Sequence, residues 1–184
     1  FTAKLPDSPY AGKPVVPLTA PSINEGITTA GKVQYVTAGG NFKDHGYQYT
    51  GAMKVLETIL RYGYLWTKIR VQGGAYGANA QFDRAGVTLF TSYRDPKLVE
   101  TLQAYQTLPV YLQQFEASER EMTKYVIGTI SGIDIPLTNA MRLSKAALME
   151  IKGLEESALQ KSREEILNVT ADDIRALAPV VEAI

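Results

Sequence analysis

The chain reads as an α+β protein: a small, largely antiparallel sheet layered with helices, with a long helical C-terminal half. Strand-like runs at residues 33–37, 75–82 and 87–93, the first of them alternating β-branched and aromatic residues, are confined to the first half of the sequence. Apolar residues spaced by three and four take over in the second half. Between the last two strand-like runs lies Asp83-Arg84-Ala85-Gly86, a hairpin connection whose glycine can take the left-handed position.

In order along the chain, residues 1–30 hold Pro6, Pro9, Pro14, Pro17 and Pro21 among Ser, Gly and Thr. Proline removes donors and fixes φ, so an extended linker is predicted, leading into a domain over residues 31–184. It could also serve as a docking arm for another part of the same polypeptide. The first strand is expected over residues 33–37, ending at Gly39-Gly40. After Asp44-His45-Gly46, the positions Ala52, Val55, Leu56, Ile59 and Leu60 form one apolar stripe of a helix that Gly63 closes. A short second helix carries Tyr64, Leu65, Trp66 and Ile69 up to the Gly73-Gly74 stop. In the hairpin, Val87, Leu89, Thr91 and Tyr93 share one face and Thr88, Phe90 and Ser92 the other. Both faces are semi-apolar, as suits a sheet covered by helices on one side and touching something else on the other.

Asp95 before Pro96 reads as an N-cap followed by proline at the first helical position, with Leu98, Leu102 and Tyr105 as the buried side. Pro109 should break or kink that helix. Ser118 to Glu121 and Thr170 to Asp173 have capping-box spacing and open helices at Glu119 and Ala171. A turn is expected at Ile133-Asp134-Ile135-Pro136, then helices over residues 138–152 and 154–167 separated at Gly153. Glu155-Glu156 and Glu164-Glu165 read as solvated helix faces opposite Lys and Arg. Asp172 and Asp173 sit where the helix dipole favours negative charge.

Composition narrows the function classes. The 184 residues are 45% hydrophobic, enough for one domain with a real core. Nineteen basic residues balance nineteen acidic ones, so no net field attracts nucleic acid or an anionic membrane, and neither partner is expected. No window approaches the roughly 18 uninterrupted apolar residues of a spanning helix. The absence of cysteine removes disulfides, thiolate zinc sites and cysteine nucleophiles, and leaves the compartment open. A soluble chain of the cytoplasm or an organellar matrix is expected. Because it begins Phe1-Thr2-Ala3-Lys4 with no initiator Met, a further N-terminal part is expected too.

The segment most suggestive of chemistry is Arg70-Val71-Gln72-Gly73-Gly74-Ala75-Tyr76-Gly77, which places a guanidinium and a phenol on either side of a glycine turn. A permanently charged fork and a hydroxyl donor suit a carbonyl oxygen that gains negative charge. The plain alternative is a surface turn with a solvated Arg and a half-buried Tyr. This segment, continued by Leu89-Phe90-Thr91-Ser92-Tyr93-Arg94-Asp95-Pro96, resembles the last domain of the insulinase (pitrilysin) zinc peptidases, in particular their presequence-protease branch. Glu164-Glu165-Ile166-Leu167 and Thr170-Ala171-Asp172-Asp173 resemble the closing helices of that family, and the likeness runs from about Val33 to the C-terminus.

The resemblance implies that Arg70 and Tyr76 hydrogen-bond a peptide substrate beside its scissile bond. Gly73, Gly74 and Gly77 would shape the turn, with Asn79 a further substrate contact. It also implies that zinc belongs to a missing N-terminal domain, bound by an inverted His-x-x-Glu-His motif that this chain lacks. The expected partners are therefore a peptide substrate and the N-terminal domains of the same polypeptide. No cofactor is expected in this fragment, which alone should be inactive. His45, the single histidine, reads as a turn residue rather than a metal ligand. No nucleophile elbow and no phosphate loop is present. Two other readings stand beside the peptidase: a catalytically silent scaffold domain of the same family, as in the core proteins of the respiratory bc complex, and a stand-alone peptide-binding module.

Overall fold

Three short strands pair antiparallel in the order β1-β3-β2: β1 is Thr37–Asn41, β2 is Gly77–Phe82 and β3 is Val87–Tyr93. The structure, a computed structural model, describes residues 24–184, so most of the expected linker over residues 1–30 lies outside the described residues. Within Gly31–Ile184 the helices are α1 (Gly51–Tyr62), α2 (Leu98–Gln106), α3 (Leu108–Gln113), α4 (Glu119–Ile133), α5 (Asn139–Lys152), α6 (Glu156–Leu167), α7 (Ala171–Arg175) and α8 (Ala178–Glu182). This is the α+β architecture that the sequence predicts, a three-stranded antiparallel sheet with a helical C-terminal half.

The hairpin register pairs Gly77 with Tyr93 and Phe82 with Thr88. Its turn is tied by the Asp83 carboxylate, which accepts from the Val87 N–H at 2.9 Å, and Gly86 takes φ 105° as the sequence suggests. The alternation in β3 is sharp: Thr88, Phe90 and Ser92 are buried, while Val87 and Tyr93 are exposed. Phe90 packs edge-on against Phe82 and also meets Tyr105 of α2. The predicted stripe of α1, Ala52, Val55, Leu56, Ile59 and Leu60, is wholly buried in this core.

The first strand departs from expectation. Only Gln34 of residues 33–36 bridges to Asp95, and the ladder proper begins at Thr37 and runs through Gly39 and Gly40. The glycines continue the strand instead of ending it because a Cβ on Gly39 would stand 2.2 Å from the Thr88 carbonyl oxygen. The close approach of β1 and β3 requires a residue without a side chain there.

A second correction concerns the start of α2. Asp95 is fully buried and does not cap; its carboxylate accepts from the Lys97 N–H at 2.9 Å and the Thr101 hydroxyl at 2.6 Å. Lys97 becomes the N-cap, and the bond to Thr101 turns that face inward, so Thr101, Ala104 and Tyr105 are buried while Leu98 is exposed. Pro109 does separate α2 from α3, at the first turn of the latter. Both capping boxes form as spaced, with Ser118 and Thr170 accepting from the N–H groups of Glu121 and Asp173. Gly153 closes α5 in the left-handed conformation. Glu165 is half-buried and faces Lys161 at 3.9 Å as expected, but its other carboxylate oxygen also accepts from the N–H at the N-terminus of α1.

The core lies between the sheet and α1, with α4 and α6 packed on α1 and α4 joined to it by a Thr58 to Thr129 hydroxyl contact of 2.7 Å. In contrast α5 buries none of its residues and leaves Leu143, Leu148 and Ile151 exposed. No helix among the described residues is long and apolar enough to cross a membrane.

Candidate functional site

The residues from Trp66 to Gln72 form a π-helical turn, where the sequence predicts an ordinary short helix. π-helical geometry is rare and recurs at functional sites. Leu65 and Ile69 anchor it in the core, leaving Trp66 and Arg70 together on one flank and Lys68 and Gln72 on the other, where they line a groove against α2.

The turn ends tightly. Gly74 and Ala75 donate their N–H groups to the carbonyls of Arg70 and Ile69, at 2.9 and 3.1 Å. A Cβ on Gly73 would lie 2.4 Å from the Ile69 carbonyl oxygen, and Gly74 sits at φ 86°, so both positions call for glycine. Around Gly77 no atom lies within 4 Å of a would-be Cβ, so packing makes no such demand there.

This backbone path carries Arg70 and Tyr76 to neighbouring positions. The Arg70 guanidinium carbon stands 6.0 Å from the centre of the Tyr76 ring and 4.0 Å from that of Trp66. Arg70 and Tyr76 are both exposed, Tyr76 at 67%. Among the described residues the guanidinium has no hydrogen bond and no carboxylate partner, so its in-plane N–H donors are uncommitted. The Tyr76 N–H donates to the Tyr93 carbonyl at 3.0 Å, and the Tyr76 ring meets Tyr93 edge to face, with centroids 5.6 Å apart. Tyr93 in turn meets Tyr35 at 5.2 Å. Just beyond, Arg94 adopts φ 50°, a left-handed conformation uncommon for a side-chain-bearing residue, as the chain turns from exposed Tyr93 to buried Asp95.

Asn79 lies on β2 opposite Thr91, with its side-chain oxygen accepting from Arg61 Nε at 3.0 Å. His45 ends a short 3-10 turn, Phe42–His45, and is exposed. Among the described residues no group of three His, Cys, Asp or Glu side chains could hold a metal ion.

Sequence reasoning placed Trp66 on a helix and Tyr93 on a strand face but did not join them to Arg70 and Tyr76. The four-residue spacing of Trp66 and Arg70 was the available signal. Tyr93 could be joined to the row only through the hairpin register.

Comparison with known proteins follows the same lines. The chain is 48% identical over 159 residues to Protein HypA of Clostridium perfringens, covering 86% of this chain and 16% of that protein. It is 31% identical over 185 residues to Presequence protease 1, chloroplastic/mitochondrial, of Arabidopsis thaliana, covering 100% of this chain and 17% of the relative. With the mitochondrial presequence protease of Emericella nidulans the identity is 34% over 130 residues, 70% of this chain and 12% of the relative. The chain thus corresponds to a small part of the length of each. Residues 24–184 match the family described as PreP C-terminal domain, so this chain belongs to that family of presequence-protease C-terminal domains within the pitrilysin group.

Proposed function

We propose that this chain is the substrate-contacting, non-metal domain of a peptidase, completed by zinc-bearing N-terminal domains of the same polypeptide. The observation that carries the reading is the pairing of exposed Arg70 with exposed Tyr76 beside a glycine turn, with the guanidinium donors uncommitted. Its substrate is a peptide, in keeping with the names of the presequence proteases to which the chain is similar. Among the described residues no group of three His, Cys, Asp or Glu side chains could hold a metal ion; in this reading the zinc and the nucleophile are supplied by the N-terminal domains, and this chain alone is inactive.

Here the two side chains bind and polarise. The planar Arg70 fork and the Tyr76 hydroxyl hold the substrate backbone beside the scissile bond, and both donate to the carbonyl oxygen that gains charge as the bond breaks. Gly73 and Gly74 hold the turn so that the two donors face the same space. Open space at Gly77 lets a peptide backbone come close, and the amide nitrogen of Asn79 adds a weaker donor while its oxygen is held by Arg61. Residues 1–30 serve as the linker from the preceding domain into residues 31–184.

The test is Arg70→Ala and Tyr76→Phe in the full-length protein, assayed on an unfolded peptide. Each is expected to lower turnover about a hundredfold, the usual effect of losing one oxyanion donor, with unchanged thermal unfolding. Normal turnover in both variants would overturn the reading.

A further inference from the structure

The Arg70 guanidinium is contacted by aromatic rings and, among the described residues, by no acidic side chain. Arg70 Cζ lies 4.0 Å from the Trp66 ring centroid and 6.0 Å from that of Tyr76, with no carboxylate partner among the described residues. The distinction has chemical consequences. A carboxylate would occupy the N–H fork and neutralise its charge, whereas a ring attracts the cation through its π-face. Contact through the ring leaves the in-plane donors and the positive charge for another acceptor.

We propose that Trp66 is a positioning residue for Arg70, fixing the direction of the fork without consuming its donors. The inference rests on the role proposed above for Arg70. Trp66 is suited to the task because Leu65 and Ile69, fully or almost fully buried, lock the turn that carries both residues. At 40% exposure the Trp66 ring is only partly packed on the protein, and its close neighbour is the guanidinium. An Arg side chain loses much rotamer freedom on binding, and a ring already in contact lowers that loss. Tyr93 stands in the same relation to Tyr76 on the far side of the pair, with edge-to-face rings.

A mutant cycle in the full-length protein tests this, with kcat and KM measured on an unfolded peptide for Trp66→Ala, Trp66→Phe, Arg70→Ala and the Trp66→Ala/Arg70→Ala double variant. Trp66→Ala is expected to lower kcat about two- to fivefold, the rate equivalent of an exposed cation–π contact, with KM and melting temperature little changed. Trp66→Phe keeps an aromatic face and recovers most of the loss. Once Arg70 is alanine, removing Trp66 has no further effect. Equal losses from Trp66→Ala in both backgrounds, or no loss in either, would overturn the positioning role while a slow Arg70→Ala leaves the site reading intact. Full activity of Arg70→Ala would overturn the site reading itself.

Discussion

The carboxylate of Glu165 on α6 accepts a hydrogen bond from the backbone N–H of Gly51, 2.7 Å away, at the first residue of α1. The N-cap of that helix, Thr50, makes no side-chain capping bond of its own. A residue distant in sequence therefore supplies the acceptor, and its negative charge suits the positive end of the helix dipole.

Glu165→Ala is expected to cost about 1–2 kcal/mol of stability, the usual loss of a helix cap. Its neighbour Glu164 bonds through its side chain, among the described residues, only to Gln160 on the same helix, so Glu164→Ala should stay within about 0.5 kcal/mol of the parent. Shifts in the urea unfolding midpoint at constant slope distinguish the two.

Gly39→Ala should be damaging despite the exposed position of the residue. The new methyl would stand 2.2 Å from the Thr88 carbonyl oxygen, which is backbone and cannot swing aside. Separating β1 from β3 should cost about 1–3 kcal/mol, in the range of overpacking. Hydrogen exchange should show faster opening of the Ala38 and Phe90 amides; unchanged protection would count against the strand contact.

Alkaline pH should loosen the packing of α2 and α3. Burial, reinforced by the neighbouring Tyr125 and Tyr64 phenols, pushes the Tyr111 hydroxyl up to about 12 from its ordinary 10.0. Burial likewise raises Tyr105. Between these values the unfolded chain gives up a proton that the folded chain keeps, so Tyr111's contribution is whole below the unfolded value and is lost as pH rises toward 12. Tyr111→Phe should flatten this fall, seen by comparing urea midpoints near pH 9 and near pH 11.

Much of the fold was legible because it depends on local rules. The stripe from Ala52 to Leu60, the capping boxes at Ser118 and Thr170, and the Gly153 stop each rest on residues a few positions apart. The readings that shifted were decided by distant partners. Thr88 set the fate of Gly39, Thr101 drew Asp95 inward, and Gly51 recruited Glu165. The Arg70 and Tyr76 pair was visible as a motif, but its aromatic flanks were not. Tyr93 enters only through the hairpin register, and Trp66 through a turn wider than an α-helix.

The alternation of β3 also divides one seven-residue strand into two sets of positions with different physical demands. Thr88, Phe90 and Ser92 answer to the packed interior, whereas Tyr93 and its unburied neighbours answer to whatever meets the open side. A change at Tyr93 can therefore alter what the open side meets while Thr88, Phe90 and Ser92 keep the interior packed.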